Sequence, residues 1–534
     1  MRSISDLVSR ELPTRRAARP GLRALLGAAL VAAMLPVASC DKTIVSPTAE
    51  LPPIESASAD ANAGSWKMLV LTSPDQVAVS DPVSTTSAAY VAELQAVKTA
   101  QANMTEAQRR AVQYWTGQGV LRWNEFEREL VARYNLPPAP RADGSYPLPD
   151  AENPFGDPAF PFANPPYAAR AYSYVSVAQY EALKAAWFFK YKFNRPAPSR
   201  IDAAISTVVS AGTLPSYPSE DAVLSGVTAE MLTLLFPAAV AEITLKAAEQ
   251  REAAVLSGRA TASDVSAGLA LGKAVAVLVT NRARADGTGA SAGNPTMWKA
   301  LESAATSKGE IAWQSQESPA RAPLLMNFGQ VRAWTMTAAE VTALEPGAPP
   351  ATSSQQMKDE LAEVKNTVEN LSREQLAIAL RWNDGAGTAT PPGHWNAIAS
   401  SYIRDARMTE VRAARAYALL NMGLHDASVG CWDTKMKNFN PRPVQLDPTI
   451  KTTIGLPNFP AYPSGHSTYS AAAATTLSYL FPQAAAQFVA AAEEAGISRL
   501  YGGIHYRSDI VQGGAHGQRI GAWVVNGAKV DGAN

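Results

Sequence analysis

Tyr217-Pro-Ser-Glu-Asp-Ala-Val-Leu-Ser-Gly-Val-Thr-Ala-Glu-Met-Leu-Thr-Leu-Leu-Phe-Pro237 and Tyr462-Pro-Ser-Gly-His-Ser-Thr-Tyr-Ser-Ala-Ala-Ala-Ala-Thr-Thr-Leu-Ser-Tyr-Leu-Phe-Pro482 lie 245 residues apart, and nine of their 21 positions are identical without a gap. Each opens on Pro-Ser, runs through small and apolar residues, and stops at Phe-Pro. Serine is a favoured N-cap and proline a helix stop, so each stretch reads as one helix. A helix used twice at a fixed spacing points to a larger unit used twice.

The same offset pairs Ala168-Ala-Arg-Ala-Tyr172 with Ala413-Ala-Arg-Ala-Tyr417, Trp187 with Trp432, Lys190 with Lys435 and Asp264 with Asp509. Further upstream, Thr105-x-x-Gln108 and Ser372-x-x-Gln375 read as capping boxes, each opening a helix that ends on a tryptophan, Trp115 or Trp382. Ala- and Leu-rich stretches dominate from about residue 101, with almost no strand-like alternation. The expected fold is therefore all-α: two helical bundles related by internal duplication, over 101–282 and 366–534, joined by a connector over 283–365. The first bundle carries an extra Pro-rich stretch at about 136–166. Residues 40–100, rich in Ser, Pro, Ala and Thr, read as a flexible tether.

Residues 1–39 read as an export signal. Six arginines precede a short apolar run, Ala24 to Pro36, too short to span a bilayer comfortably, and no later stretch reads as a membrane span. The run ends in Val37-Ala38-Ser39-Cys40, which resembles a bacterial lipobox. That implies lipidation of Cys40, an anchor in the cell envelope and a protein facing the periplasm.

Lys+Arg and Asp+Glu each number 47, a balance that excludes nucleic acid as the main partner. With only Cys40 and Cys431, a disulfide framework and a cysteine zinc site are excluded as well. All five histidines (His394, His425, His466, His505 and His516) fall in the last 141 residues, so proton chemistry is expected in the C-terminal third. His425 reads as a satisfied helix histidine, and His516 as helix surface or core.

Three motifs occur there in order: Lys435-x6-Arg442-Pro443, Pro463-Ser464-Gly465-His466, and Ser498-Arg499-x5-His505-x3-Asp509. His505 and Asp509, four apart on a helix, share a face, so the carboxylate can orient the imidazole. Lys435, Arg442 and Arg499 can neutralise a tetrahedral oxoanion. Ser464 and Gly465 sit at a helix start, where free N–H groups and the dipole favour an anion. One histidine can bond to the central atom of that anion while the other works as acid or base on the apical oxygen.

These motifs resemble the signature of the type 2 phosphatidic acid phosphatase (PAP2) and vanadium-dependent haloperoxidase superfamily. The resemblance implies that His505 is the axial ligand of vanadate, or the nucleophile of a phosphatase. It makes Asp509 the orienting residue and His466 the apical acid–base. Lys435, Arg442, Ser464, Gly465 and Arg499 would hold the equatorial oxygens. At the 245 offset the first copy has Glu220-Asp221 for Gly465-His466, Ala254 for Arg499 and Ala260 for His505, so only the second copy is expected to be active.

The two-bundle organisation is similar to the bacterial haloperoxidase branch, as are Trp432 and Phe459, which stand where chloroperoxidase-like enzymes place halide-site aromatics. Trp187 matches Trp432 in the inactive copy, so core packing is the competing role for that indole. His394, in Thr390-Pro-Pro-Gly-His-Trp-Asn396, is a candidate for the pocket mouth. The resemblance thus implies a vanadate enzyme acting on peroxide and halide. The alternatives are a metal-free phosphatase acting on phosphate monoesters through a phosphohistidine, and a non-catalytic lipoprotein of the same fold.

Overall fold

Ser219 and Ser464 both cap helices: their side chains accept the amides of Ala222 and Ser467, and the helices run Glu220–Leu235 and Gly465–Leu480. Each breaks before a proline, Pro237 or Pro482, which starts a short 3-10 turn. The computed structural model describes residues 53–136, 142–143, 162–210 and 212–533, and among these the regular structure is helical throughout, with no strand.

The helices flanking those two recur in step. Pro165–Phe193 corresponds to Glu410–Asn438, Val240–Leu256 to Ala485–Tyr501, and Ala262–Arg284 to Arg507–Ala528. Contacts recur as well. Arg170 pairs with Asp286 and Arg415 with Asp531, both at 2.7 Å. The two expected capping boxes form, at Thr105/Gln108 and Ser372/Gln375. Trp115 and Trp382 donate their indole N–H groups at 2.8 Å to Glu249 and Glu494.

Residues 50–534 form one compact unit, in which the helices Pro165–Phe193 and Glu410–Asn438 pack along each other. Both are buried over most of their length and contribute to one continuous apolar core. A buried amide chain crosses between the halves: Asn124 donates to Asn396 at 2.8 Å, and Asn396 to Asn421 at 2.7 Å. Buried amides without partners are costly, so the chain fixes how the helices meet.

Two expectations are corrected and one, the connector, gains its detail. Residues 40–100 do not run as a free tether where they are described. Trp66, Leu71, Tyr90, Leu94 and Val97 are buried, Ala88–Ala102 is a helix capped by Ser87, and the amides of Leu69, Val70 and Leu71 donate to the Glu181 carboxylate. A few apolar anchors outweigh an average composition rich in Ser and Pro. The connector, likewise, is partly helical, with Pro295–Thr306, Ala338–Ala343 and Gln355–Glu369. Its loops lie on the second half, where Leu324 N–H donates to Asn458 at 3.0 Å.

Second, the segment Ala262–Ala290 is long and apolar enough to cross a membrane by length and composition, contrary to the sequence reading. In the fold its Gly268 and Gly272 seat against the backbone of Ser219 and Val223, as a core helix does. The expected export signal over 1–39 and Cys40 lie outside the described residues, as does most of the Pro-rich stretch.

Candidate active site

The Pro-Ser-Gly-His loop and the His-x3-Asp helix are tied directly, because Ser464 N–H donates to the Asp509 carbonyl at 2.9 Å. Asp509 is the N3 residue of its helix, and its Oδ2 accepts the Tyr506 amide at 3.0 Å and faces His505 Nδ1 at 2.9 Å. On the other side of the ring, Arg442 Nη1 stands 3.0 Å from His505 Nε2. A guanidinium only donates, so Nε2 is an acceptor and the ring proton belongs on Nδ1. Burial, with Arg442, Lys435 and Arg499 close by, lowers the His505 pKa well below its ordinary value. The imidazole is therefore neutral, with its lone pair at Nε2. Burial pushes the Asp509 carboxyl up to about 7, opposed by the Tyr506 amide and by Lys435 and Arg442.

His466 enters from the first turn of Gly465–Leu480 and hydrogen-bonds to the Trp382 carbonyl. Its Nε2 has no hydrogen-bond partner among the described residues and lies 3.9 Å from Asp384 Oδ2. Burial and then Arg499 push its pKa well down, so this ring too is neutral in the free protein. Arg499 donates to Ser498 Oγ at 2.9 Å and to the Trp382 carbonyl. Arg442 donates to the carbonyls of Phe459 at 3.0 Å and Ile504 at 2.8 Å, while its Nη2 has no partner among the described residues.

Lys435 and Ser464 are placed differently from the other expected anion ligands. Lys435 Nζ donates to three carbonyls, those of Pro460 at 2.9 Å, Ala461 at 2.8 Å and Pro463. All three of its N–H groups are occupied in clamping the loop that leads to Ser464. Burial brings its pKa down to about 8. Ser464 Oγ caps its helix rather than facing outward. Gly465 is open: a Cβ there would meet only Tyr469, at 3.8 Å, so the glycine leaves space beside the helix N-terminus instead of filling it.

Gly465, His466, Arg499 and His505 line one cavity of about 290 Å³, together with Trp432 and Phe459. The two aromatic rings are 5.1 Å apart, and the Phe459 ring is flanked by Lys435 at 5.3 Å and Arg442 at 5.1 Å. Trp432 is anchored by its indole N–H to the Leu324 carbonyl at 3.0 Å, so it serves both as core and as cavity wall.

His394 is not part of that wall. Its ring stacks on Trp382 at 4.3 Å, and its Nδ1 faces Asp384 Oδ1 at 3.1 Å. Asp384, which does line the cavity, was missed in the sequence and stands between His394 and His466. It lies in the turn Trp382-Asn383-Asp384-Gly385 with φ of 44°, where the residue types signal only a loop. His425 and His516 are buried core residues, each lowered to about 3 by desolvation.

Residues 416–530 match the family model of the PAP2 superfamily. That segment carries Lys435, Arg442, Ser464, Gly465, His466, Arg499, His505 and Asp509. Among solved structures the chain resembles the first bacterial vanadium-dependent iodoperoxidase, at 22% identity and a TM-score of 0.55, over 76% of this chain and 95% of that one. It also resembles an apo-type bacterial vanadium-dependent chloroperoxidase, at 12% identity and a TM-score of 0.49, over 69% of this chain and 95% of that one. No curated protein matches the chain. The likeness to the iodoperoxidase extends beyond the 416–530 segment, so that segment lies within an all-α fold shared with it.

Proposed function

We propose that the PAP2 bundle holds vanadate and that the protein is a vanadate-dependent haloperoxidase, oxidising halide with peroxide. The observation that carries this reading is the neutral His505, held between Asp509 and Arg442, with three buried polar atoms around it that are unmet among the described residues. Arg442 Nη2, His466 Nε2 and Asp509 Oδ1 all lack partners among the described residues, and Gly465 leaves room at a helix N-terminus. A buried guanidinium donor with no acceptor, beside the cations Arg499 and Lys435 and an open helix N-terminus, fits a tetrahedral oxoanion. When bound, vanadate supplies Lewis-acid activation of peroxide.

The chain's own residues then divide the work. His505 Nε2 is the ligand atom, and Asp509 keeps its proton on Nδ1. Arg442 and Arg499 balance the anion's charge, and the backbone of Gly465 approaches it closely. Lys435 acts through its charge and by clamping the 460–463 loop. His466, neutral and facing the cavity, takes the proton that peroxide must lose. Trp432 and Phe459 give the cavity an apolar wall on which a large, weakly hydrated halide can rest. The two-bundle fold and this aromatic wall favour a haloperoxidase over a phosphatase.

The phosphatase reading rests on the same pair of histidines, with His505 as nucleophile and His466 as leaving-group acid. One sample separates the two. Purified protein is loaded with orthovanadate, then assayed for iodide and bromide oxidation with peroxide and for p-nitrophenyl phosphate hydrolysis. Halide oxidation that rises with vanadate, and ester hydrolysis that falls, support the proposal. Protein inert to halide after full loading overturns it. The export signal and the lipobox-like Val37-Ala38-Ser39-Cys40 support a lipid-anchored enzyme facing the periplasm.

A further inference from the structure

The first half holds a cavity at the corresponding place, with different chemistry. It measures about 360 Å³ and is walled by Trp187, Thr213, Leu214, Glu220 and Arg259. Those residues lie 245 positions before Trp432, Asn458, Phe459, Gly465 and Ile504, which line the second-half cavity. Where Gly465 leaves space for an external anion, Glu220 supplies an internal one, its Oε2 lying 2.7 Å from Lys190 Nζ.

The charges around this cavity do not cancel. Asp221 pairs with Arg259 and accepts from Gln250 Nε2 at 3.3 Å. A third carboxylate, Glu410, reaches the cavity from the start of its helix and accepts the amides of Gly119 at 2.6 Å and Val120 at 3.0 Å. With Glu55 also on the lining, four carboxylates thus face two cations, Lys190 and Arg259. Burial and the nearby Asp221 push Glu410 up to about 7, so its negative charge is complete only above that pH.

Two hydrogen-bonding groups are also unmet. Gln118, only 5% exposed, lines the cavity, and its Nε2 donates to the Met408 carbonyl at 2.5 Å. Its Oε1 accepts from nothing among the described residues. Arg259 Nε is a buried donor with no partner there either. A buried acceptor, a buried donor and a surplus negative charge are met together by a ligand with a cationic N–H donor and an acceptor oxygen.

We propose that the first-half cavity binds a small primary ammonium compound bearing a hydroxyl group. The ammonium sits among Gln118 Oε1, Glu220 and Glu410, and the hydroxyl oxygen accepts from Arg259 Nε. The Trp187 ring provides an aromatic wall for the cation. This site is separate from the second-half chemistry and does not depend on the haloperoxidase reading.

Isothermal titration calorimetry on the full chain tests the proposal with 2-aminoethanol as probe and glycolate, similar in size but opposite in charge, as control. The expected result is saturable heat with 2-aminoethanol and none with glycolate. Gln118→Leu, which removes the orphan acceptor, should weaken 2-aminoethanol about tenfold or more. Glu220→Gln should weaken it similarly. Thermal melts of both variants show whether each is folded, and either folded variant suffices. Absence of saturable heat with the wild type, binding of glycolate in its place, or unchanged affinity in a folded variant overturns the proposal.

Discussion

Asp509 Oδ2 lies 2.9 Å from His505 Nδ1 and also takes the Tyr506 amide at 3.0 Å, so one carboxylate fixes both the ring and the first turn of its helix. The histidine's Nε2 is left as the reactive atom. His505→Ala should abolish vanadate retention and every activity. Asp509→Ala should lower both about 10- to 100-fold, the usual loss when a ligand's orienting partner is removed. Vanadate retention by equilibrium dialysis, with turnover on the same samples, checks both. Wild-type retention by His505→Ala would show that another residue holds the anion.

Asp221 stands where His466 stands in the second half, but it is tied to Arg259 and Gln250 rather than facing the second-half cavity. Asp221→Ala should leave halide or ester turnover unchanged at a temperature where the variant is folded. It should lower the melting temperature, because removing one partner of a buried pair costs about 3–5 kcal/mol. A large drop in turnover with unchanged melting would place the first half in the reaction.

His516 is buried against Gly430, with neither ring nitrogen hydrogen-bonded among the described residues, and desolvation lowers it to about 3. The unfolded chain binds a proton at this histidine below about 6.5 while the folded chain does not. Its contribution to stability is therefore complete above pH 6.5 and declines as pH falls toward 3. His516→Leu removes that dependence. The melting temperature of wild type minus that of the variant should fall steadily from pH 7 to pH 4, by up to about 1.4 kcal/mol per pH unit in stability. A difference independent of pH would mean that His516 is protonated, or solvated, in the folded protein.

The helices were legible because their punctuation is local. Ser219 and Ser464 cap, Pro237 and Pro482 stop, and the 245-residue offset that links them also links the ion pairs Arg170–Asp286 and Arg415–Asp531. His505 and Asp509 were legible as a pair, although not on a shared helix face: His505 precedes the N-cap Tyr506, and the Asp509 carboxylate reaches back to it from the first turn. Asp384 was not, since it meets His466 through a turn contributed by a different helix pair. The contacts of Lys435 were not legible either, because nothing in Lys435-x6-Arg442 reveals that three loop carbonyls converge on that ammonium. Trp66 and Tyr90 were hidden inside a stretch whose average composition reads as a tether.

Cys40 is the residue on which the membrane proposal rests. A single acyl chain binds a bilayer only marginally, whereas a modification carrying several chains anchors it stably. Cys40→Ser should therefore shift the protein from the membrane fraction to the soluble fraction, or leave it unprocessed at higher mass. Fractionation and intact mass measure this together. An unchanged distribution would return Val37-Ala38-Ser39-Cys40 to the role of an ordinary signal end.

His466 gives the test that separates binding from chemistry. Its Nε2 faces the cavity without a partner, its ring is neutral because burial and Arg499 disfavour imidazolium, and Asp384 stands 3.9 Å away. A neutral imidazole can take a proton from peroxide, and a bound anion beside it then favours the charged form that results. His466→Ala should reduce turnover about 10²- to 10⁴-fold. Vanadate retention should stay near wild type, because His505, Arg442, Arg499 and Gly465 remain. Because the free ring titrates below its ordinary value, activity should persist to pH values below about 6.5, where an unperturbed histidine base would already be protonated. On phosphate esters the same variant discriminates further. A p-nitrophenyl leaving group needs little protonation, so the variant should recover on that ester relative to an alkyl phosphate. Equal losses on both esters would remove His466 as leaving-group acid, and lost vanadate retention would make it a ligand instead.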